Sequence, residues 1–533
     1  MKDKSLKLDH AFTLYELDEK LLQLVPGLKK AREKPPVHNP FISELKLSTF
    51  DKIKMAFLII LVPIRLILLG FTLLAAGVVA KVSLIGFKES NPPVPMHKFR
   101  RFGQFIVWIL ARMASICCGF HYVPVKGKLA AAKDAPIVVV APHTSFVDSL
   151  SFLPFGYLSA VSASENLKVP VMGNYIRLLQ PIVVSRADRD SKVFVANEIK
   201  RRSAAGIWPP IVIFPEGTTT NHQCFITFKP GAFYPGLPVQ PVLLRYPDRM
   251  DYASWTWIGP GALYLLVVMM SRLHNRQSVE VLPVYTPNEK EKKDPFLYAK
   301  NVREYMAKLA ELPVSDHSYE DCRLMMEAQK LGLPMEAGIV EYYKLSNLLN
   351  INCEHMIEYL HKFAIIDKNH DGYIDFTEFS NYLHLPHNDE VKAMFHILCI
   401  DKNHVISFRE YLVGTFLILK PLNTEEKIKR AFLMLDEDDD GFLTYASLSS
   451  FLRNSMQLGD SFIGKIFKDM NPSNADYIDF NNFAEFCSAK PEYGILFMHF
   501  QKLKEDSLLI DNKAENTQDR KSMSPKFAYN TRK

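Results

Sequence analysis

The sequence predicts an α/β domain that follows a membrane-embedded helix or hairpin and precedes an all-α domain. Three observations support this architecture: an almost wholly apolar run at residues 55–80, short β-branched runs alternating with helical stretches at residues 135–284, and helical sequence with acidic clusters after residue 319. Strands that alternate with helices are typical of a sheet covered by helices. A chain of 533 residues is long enough for two to four domains.

The apolar run follows a polar, lysine-rich segment at residues 1–50 that lacks the pattern of a cleavable signal. As a helix, the run would reach about 39 Å and could cross a bilayer. Pro63 would kink such a helix, and Arg65 would be costly near the bilayer centre. Lysines flank both ends, so the positive-inside tendency does not choose a side. A single span and a hairpin that enters and leaves on the cytosolic face both remain open for this membrane segment at residues 51–88.

Two shorter apolar stretches follow the membrane segment. Residues 102–120 contain Gln104 and Arg112, which favours an amphipathic helix in the membrane interface or packed on the domain. Residues 261–270 are too few to cross a bilayer, so we expect them in the core.

Five runs rich in β-branched residues predict the strands of the sheet, with a helical stretch at residues 190–205. The runs lie at residues 137–140, 182–184, 211–214, 239–244 and 279–284. They favour a largely parallel or mixed sheet in a domain spanning residues 100–310. We expect a helical connector at residues 319–350 and a disordered polar tail at residues 504–533.

Charge and cysteine content narrow the kinds of partner and compartment that fit this sequence. The net charge of +6 conceals a basic first half, and a basic region beside apolar segments suggests contact with anionic lipid or phosphate. No zinc-finger spacing or long basic helix is present, which argues against a nucleic-acid partner. The seven cysteines are scattered and odd in number, as expected for reduced thiols in a cytosol-facing protein.

His143 and Asp148 follow the first predicted strand of the α/β domain. Five residues on a helix turn through about 500°, so the two side chains could meet only if a turn separates them. In that case Asp148 could hold the imidazole in one tautomer and leave its other nitrogen free as a base. A structural histidine and a helix-capping aspartate remain the alternative.

A second candidate loop follows the run at residues 211–214 and contains Glu216, Gly217 and Thr218. Glycine permits a tight turn, and the hydroxyl groups of the loop offer donors to phosphate or hydroxyl oxygens. An ordinary turn remains the alternative.

Together these loops resemble motifs of the glycerophospholipid acyltransferase family, and most closely those of its lysophosphatidylcholine acyltransferase branch, types 2 and 2B. That family carries four motifs in a fixed order, matched here by His143 with Asp148, Gly173 with Arg186, residues 214–217, and Pro241. Two positions depart from the branch: Thr219 stands where it usually has cysteine, and Val147 where it usually has an aromatic residue.

The resemblance implies a role for each candidate residue. His143 would take the proton of a lysolipid hydroxyl as its oxygen attacks the acyl-CoA thioester, and Asp148 would orient and charge-balance His143. Arg186, with Gly173, would hold the phosphate. The acceptor site would be shaped by Glu216, Gly217 and Thr218. The acyl group would pass directly from the thioester to the acceptor hydroxyl, without an acyl-enzyme. Ser145 and Cys224 remain rival nucleophiles.

The resemblance also implies the substrates and the compartment. The donor would be acyl-CoA and the acceptor a lysophospholipid; acetyl-CoA with lyso-platelet-activating factor remains open beside a long-chain donor with lysophosphatidylcholine. The protein would lie in the endoplasmic reticulum membrane with its active site and calcium sites facing the cytosol, and lipid droplets or the Golgi remain possible locations.

Residues 351–490 contain calcium-binding loop patterns of the EF-hand type. One loop places ligands at positions 1, 3, 5, 7, 9 and 12, with Gly372 at position 6: Asp367, Asn369, Asp371, Tyr373, Asp375 and Glu378. A weaker loop has serine at the position of the bidentate glutamate: Asp436, Asp438, Asp440, Phe442 and Ser447. Loops near residues 401–406 and 471–482 have lost ligand positions, so they are expected as structural partners in two EF-hand pairs.

Two classes of function therefore fit the sequence. One is a calcium-responsive acyltransferase, favoured by the intact pair His143 and Asp148. The other is a calcium-binding membrane adaptor whose acyltransferase fold has lost activity, as the two departures and the weakened hands would allow.

Overall fold

The computed structural model describes residues 27–87, 93–169, 172–184, 191–399, 404–419, 425–436, 438, 440–456, 459–472 and 475–490. The chain divides into two compact units. The sheet unit contains Lys34–Arg323 with Glu341–Tyr343, and the EF-hand unit contains Met1–Glu33, Leu324–Val340 and Lys344–Lys533. Arg186, the tail at residues 504–533 and most of the polar N-terminal segment lie outside the described residues.

Among the described residues, seven strands form one sheet: β1 Val125–Lys126, β2 Ile137–Ala141, β3 Ser159–Ala163, β4 Ile182–Val184, β5 Ile211–Ile213, β6 Val239–Arg245 and β7 Ser278–Val281. Their order across the sheet is β1-β7-β6-β2-β5-β3-β4. Every neighbouring pair is parallel except β6 and β7, so the predicted mixed α/β sheet is confirmed. All five predicted runs form strands, whereas β1 and β3 had not been predicted.

The central strand β2 is buried along its whole length because the sheet is covered on both faces. Side chains alternate between faces along a strand. Ile137 and Val139 join a cluster that includes Val302 of the helix Pro295–Ala310, and Val138 joins a separate cluster on the opposite face. This two-sided burial explains why the strand appears in the sequence as a continuous apolar run.

The described helices of the sheet unit connect and cover these strands. Three 3-10 helices lie at Asp148–Phe155, Ser164–Lys168 and Pro230–Ala232. The α-helices are Thr49–Leu58, Leu61–Ser83, Lys98–Cys117, Met172–Leu178, Ser191–Ala205, Ala262–Met270, Glu289–Lys293 and Pro295–Ala310, and Tyr319–Lys330 follows at the end of the unit.

The helix Leu61–Ser83 is long and apolar enough to cross a membrane, by length and composition. It follows the helix Thr49–Leu58 after a turn at residues 59–60. Pro63 lies in its first turn, where a missing amide leaves no helical hydrogen bond unmade. The helix therefore runs unbroken, and the turn that a hairpin would need does not occur between Leu61 and Ser83.

Arg65 has a structural partner that the sequence did not reveal. Its guanidinium donates to the carbonyl oxygens of Met270 at 2.9 Å and Arg272 at 2.5 Å, at the carboxyl end of the helix Ala262–Met270. A cation is favourable there because the last carbonyls of a helix lack partners within the helix. Arg65 thus ties the apolar helix to the end of the helix Ala262–Met270 within the same unit.

The helices Leu61–Ser83 and Lys98–Cys117 pack on each other through Ala76, Ala80 and Val107. On the faces turned away from this contact, large apolar side chains are exposed. These are Ile64, Ile67, Phe71, Leu74 and Val78 on the first helix, and Phe99, Phe102, Phe105 and Ile109 on the second. Exposed apolar side chains on two packed helices suit contact with lipid.

In the described part of the EF-hand unit, short helices surround two antiparallel two-stranded ladders. Tyr373–Ile374 pairs with Ile406–Ser407, and Phe442–Thr444 pairs with Tyr477–Asp479. Each ladder therefore joins a loop with metal-ligand spacing to a degenerate one. The described helices are Leu28–Arg32, Tyr342–Leu349, Cys353–Ile366, Phe376–Tyr382, Asp389–Leu398, Phe408–Val413, Glu425–Leu435, Tyr445–Met456, Asp460–Met470 and Phe480–Ala489, with a 3-10 turn at Met335–Gly338 and a π-helix at Gly414–Leu419.

Candidate active site

The loop after β2 brings the imidazole and the carboxylate together. β2 ends at Ala141 and the next helix begins at Asp148, so the chain turns between the two side chains. His143 Nδ1 lies 2.8 Å from Asp148 Oδ2. The same oxygen accepts the backbone N–H groups of Thr144 at 2.7 Å and Ser145 at 3.0 Å. The carboxylate thus fixes both the turn and the ring.

The second oxygen of Asp148 is held by side chains from distant parts of the sequence. The Tyr246 hydroxyl donates to Asp148 Oδ1, and Gln277 Nε2 donates to the Tyr246 oxygen at 2.7 Å and to Ser151 Oγ. Burial, together with the charge of Asp148, raises the pKa of Tyr246 well above its ordinary value, so the phenol keeps its proton and acts as the donor. Asp148 is 1% exposed, and four donors compensate the cost of burying its carboxylate.

The imidazole of His143 has one nitrogen engaged and one available. Because Nδ1 donates to Asp148, the tautomer places the lone pair on Nε2. The ring packs against Phe214, with centroids 4.3 Å apart, and its side chain remains 22% exposed. A substrate hydroxyl could therefore reach a base whose orientation is already fixed.

Glu216 lies beneath the candidate catalytic loop, residues 142–148, which carries His143 and Asp148. It is 0% exposed, and its Oε2 accepts the backbone N–H of His143 at 2.7 Å. In return, the backbone carbonyl of His143 accepts the N–H of Thr220 at 2.8 Å. Burial raises the pKa of Glu216 to about 8, although the amides of His143 and Ile226 act in the opposite direction. The carboxyl group holds the two loops together and has no exposed surface to offer an acceptor.

The buried Glu216 gives a pH-dependent prediction. An acid whose pKa is raised on folding keeps its proton in the native state while the unfolded chain releases it, so the free energy of unfolding falls as pH rises from about 4.5 to about 8. Glu216→Gln keeps the oxygen that accepts from His143 and removes the charge. We expect the variant to lose this slope and to gain on the order of 2–4 kcal/mol relative to wild type above pH 8. Unfolding midpoints at pH 5–9 in detergent measure the effect, and parallel pH profiles for both proteins would contradict it.

Gly217 adopts a left-handed conformation that leaves room for a lysine. Its φ is +70°, and an added Cβ would lie 3.0 Å from Lys229 Cε and 3.3 Å from Lys229 Nζ. The ammonium lies 3.8 Å from the Tyr319 ring centroid and 3.9 Å from a Glu320 carboxylate oxygen, and the side chain is 41% exposed. A cation therefore lies beside the second loop.

Thr218 and Thr219 connect the second loop to the segment that carries two exposed tryptophans. Thr218 Oγ1 accepts Trp257 Nε1 at 2.8 Å, and the Thr219 hydroxyl donates to the carbonyl oxygen of Trp255. The Trp255 amide in turn donates to the Thr144 carbonyl at 3.0 Å. Thr219, one of the two departures from the branch, thus helps to position this segment.

Val147, the other departure, is an apolar core position. It is 5% exposed and belongs to a cluster with Phe120 and Tyr252. The side chain packs inward beside the catalytic loop.

The two rival nucleophiles are both buried. Ser145 and Cys224 are each 0% exposed, and burial together with the charge of Glu216 raises the pKa of Cys224 to about 12. A thiol with that pKa carries almost no thiolate at neutral pH, and the thiolate is the nucleophilic form. Neither side chain is therefore placed as an accessible nucleophile.

Gly173 lies in the helix Met172–Leu178, before β4. It is buried, and an added Cβ would lie 2.2 Å from the carbonyl oxygen of Leu167, so close backbone packing requires glycine. Arg186, expected to act with it, lies outside the described residues.

Sequence reasoning did not single out Tyr246, Gln277 or Lys229 as site residues. β6 runs parallel to β2, with Leu243 opposite Ala141, so the residue that follows β6 falls beside the catalytic loop. Ligand sites of such sheets lie at the carboxyl ends of parallel strands. The position of Tyr246 just after a predicted strand was therefore a usable signal.

The first EF-hand loop has oxygen ligands that fit a cation. Asp367 is 0% exposed, and its Oδ1 has no hydrogen-bond partner. Burial, with the charges of Glu378 and Asp371 adding to it, raises the pKa of Asp367. Glu378 accepts the backbone N–H groups of Lys368 at 2.8 Å and Asn369 at 3.0 Å. Calcium favours such oxygen ligands.

In the second candidate calcium-binding loop, at residues 436–447, carboxylate oxygens of Asp436, Asp438 and Asp440 lie within 4.8 Å of one another. Ser447 Oγ instead accepts the N–H of Thr444 at 3.1 Å, as a helix cap would. Its short side chain supplies no bidentate carboxylate at position 12. Tyr373 and Phe442 occupy position 7 of their loops, where the backbone carbonyl is the ligand.

Comparisons with known proteins agree with this arrangement. Residues 122–245 match the family model Acyltransferase, residues 425–488 match EF-hand domain pair, and residues 360–384 match EF hand. Lysophosphatidylcholine acyltransferase 2 of Mus musculus is 40% identical over 88% of this chain and 86% of its own length. Lysophosphatidylcholine acyltransferase 2B of Rattus norvegicus is 37% identical over 95% of this chain and 98% of its own, and acyltransferase 1 of the same species is 37% identical over 89% of each.

Proposed function

We propose, because the chain belongs to the lysophosphatidylcholine acyltransferase family, that it transfers an acyl group from acyl-CoA to the free hydroxyl of lysophosphatidylcholine. The chain is an acyltransferase with EF-hands. The observation that carries the proposal is the 2.8 Å contact between His143 Nδ1 and Asp148 Oδ2, which leaves Nε2 as an oriented base.

The reaction would proceed in two linked proton transfers. The acceptor O–H gives its proton to His143 Nε2 while its oxygen attacks the thioester carbon. The new C–O bond forms a tetrahedral oxyanion, the C–S bond then breaks, and the leaving thiolate of CoA takes the proton back from the imidazolium. Asp148 stabilises the transient imidazolium, since its carboxylate already contacts Nδ1. Atoms and charges balance without an acyl-enzyme.

Two cationic side chains, Arg186 and Lys229, would bind phosphate groups of the substrates. The family resemblance assigns Arg186 to the phosphate of the acceptor. Lys229 lies beside Gly217 and offers a positive charge at that loop. A point charge and a guanidinium are both suited to phosphate oxygens.

We place the protein in the endoplasmic reticulum membrane, with the active site and the EF-hands facing the cytosol where acyl-CoA is available. The apolar helix Leu61–Ser83 and the exposed apolar side chains on it support membrane association. Release of the protein from membranes by high salt or carbonate alone would contradict this placement.

A catalytically impaired calcium-binding adaptor remains the second candidate, because Thr219 and Val147 depart from the branch. Purified protein in vesicles should convert lysophosphatidylcholine and isotope-labelled acyl-CoA to labelled phosphatidylcholine, measured by mass spectrometry. Parallel reactions with acetyl-CoA and lyso-platelet-activating factor, and with long-chain donors, determine the acyl preference. Calcium-dependent vesicle binding without labelled product from any donor would favour the adaptor.

Calcium would be held by the loop that begins at Asp367 and would regulate activity. Glu378→Gln removes a carboxylate charge from position 12, so we expect the dissociation constant of that loop for calcium to rise at least about tenfold. Calorimetric titration of the full chain with calcium measures this. If calcium regulates acyl transfer, the transfer rate of Glu378→Gln should respond less to calcium than that of wild type.

Ser447→Glu provides the matched comparison in the other candidate loop. It supplies a carboxylate at position 12 beside the cluster of Asp436, Asp438 and Asp440, so binding there should strengthen. Unchanged titrations for both variants would contradict the assignment of these loops.

A further inference from the structure

Two exposed tryptophans and a half-buried phenylalanine form an aromatic ledge beside the catalytic loop. Trp255 and Trp257 are 39% and 38% exposed, although the residue between them, Thr256, is 8% exposed. Phe146 lies three residues after His143, and its ring meets that of Trp255 at 90° with centroids 5.7 Å apart. Perpendicular rings leave a corner in which two aromatic faces can be presented to one ligand. We call Phe146, Trp255 and Trp257 the aromatic ledge.

Hydrogen bonds hold the tryptophans of the ledge against the catalytic loop and against the loop that contains Thr218 and Thr219. The Trp255 amide donates to Thr144, the neighbour of His143, and the Trp255 carbonyl accepts from Thr219. Trp257 is fixed through its indole N–H to Thr218. These hydrogen bonds are made by the backbone of Trp255 and by the indole N–H at the ring edge of Trp257. The faces of the two rings take no part in them. A preorganised surface binds with less loss of conformational entropy.

We propose that the aromatic ledge binds the quaternary ammonium group of the acceptor lipid and so makes the enzyme selective for a choline head group. Aromatic faces attract quaternary ammonium groups through cation–π interactions, which strengthen when water is excluded. This inference rests on the proposed function, because it names how the same site distinguishes its acceptor.

The neighbouring charge fits a zwitterionic head group. Thr218 contacts Trp257, and the adjacent Gly217 packs against Lys229. A phosphate at Lys229 and an ammonium at the ledge would match the opposite charges of phosphocholine. Exposed tryptophans also anchor proteins at membrane interfaces, and that alternative makes a different prediction for the test below.

The test measures the KM values of lysophosphatidylcholine and lysophosphatidylethanolamine with matched acyl chains for three variants. Trp255→Leu removes the aromatic face, Trp255→Phe keeps one, and Phe105→Leu alters an exposed aromatic on the helix Lys98–Cys117. We expect Trp255→Leu to raise KM for the choline acceptor about tenfold and to leave KM for the ethanolamine acceptor and for acyl-CoA near wild type. Trp255→Phe should restore most of the selectivity, and Phe105→Leu should not change it.

Equal increases of KM for both acceptors, accompanied by weaker vesicle binding, would overturn the proposal in favour of a membrane anchor. Unchanged KM values in Trp255→Leu would overturn it while leaving the acyltransferase in place. Absence of turnover with every acceptor would count against the proposed function instead. In that case, the proposal is tested by equilibrium binding of radiolabelled choline and ethanolamine lysolipids to wild type and Trp255→Leu in maltoside detergent. A selective loss of choline-lipid binding in the variant supports the proposal, and the absence of a selective loss overturns it.

Discussion

Replacing His143 by alanine is expected to lower kcat about 10²–10⁴-fold, the usual contribution of a positioned general base. The imidazole is already oriented by its 2.8 Å contact with Asp148, so its removal leaves the acceptor hydroxyl without a proton acceptor. The KM for acyl-CoA should change little, because the base acts on the acceptor. Initial rates of phosphatidylcholine formation at saturating substrates measure the effect.

The control for this substitution must exclude a folding defect. His143 packs against Phe214, so alanine also removes a ring contact. His143→Gln retains more of the side-chain volume but supplies no comparable base and should be as inactive as the alanine variant. His121→Ala alters an exposed histidine elsewhere in the sheet unit and should retain activity. Turnover near the wild-type rate in both His143 variants would exclude the proposed base.

The second large effect is expected from Asp148→Ala, with a loss of about 10³–10⁴-fold in kcat. The substitution leaves His143 Nδ1, the amides of Thr144 and Ser145, and the Tyr246 hydroxyl without their acceptor. The ring would lose both its orientation and the charge that stabilises the imidazolium. Initial rates of phosphatidylcholine formation at saturating substrates, as for the His143 variants, measure the loss.

Asp148→Asn separates charge from position at the same site. Three donors converge on Oδ2, so the amide oxygen should take that place and the NH₂ group should face the Tyr246 oxygen. The histidine would keep its tautomer while losing the opposite charge, so kcat should fall less than in the alanine variant. Equal activities for wild type, Asp148→Asn and Asp148→Ala would contradict a role for the carboxylate.

The sequence was informative where a pattern is local. Five strands were predicted from runs rich in β-branched residues, which two-sided burial explains for the central strand β2. By contrast, β3 was not predicted because Ser159–Ala163 consists of serine and alanine with a single valine. The first EF-hand loop was equally visible because its ligands lie within twelve consecutive residues. The contact between His143 and Asp148 could be expected only on the condition that a turn lies between them.

Long-range contacts were not predictable from such patterns. Tyr246 reaches Asp148 across 98 residues, and Arg65 meets the carbonyl of Met270 across 205 residues. Glu216 was expected to shape the acceptor site, but the fold places it beneath the loop with its carboxyl group against the His143 amide. Whether a side chain at a strand end faces substrate or core depends on packing that one sequence does not reveal.

The central claim is that the pair of His143 and Asp148 activates the acceptor hydroxyl for direct attack on the thioester. A single-turnover experiment with enzyme in excess over acyl-CoA tests it most directly, with CoA release followed before and after addition of lysophosphatidylcholine in wild type and in His143→Ala. We predict no CoA release until the acceptor is added, stoichiometric release afterwards in wild type, and almost none in the variant. Stoichiometric release without acceptor, or equal release from both proteins, would contradict the account.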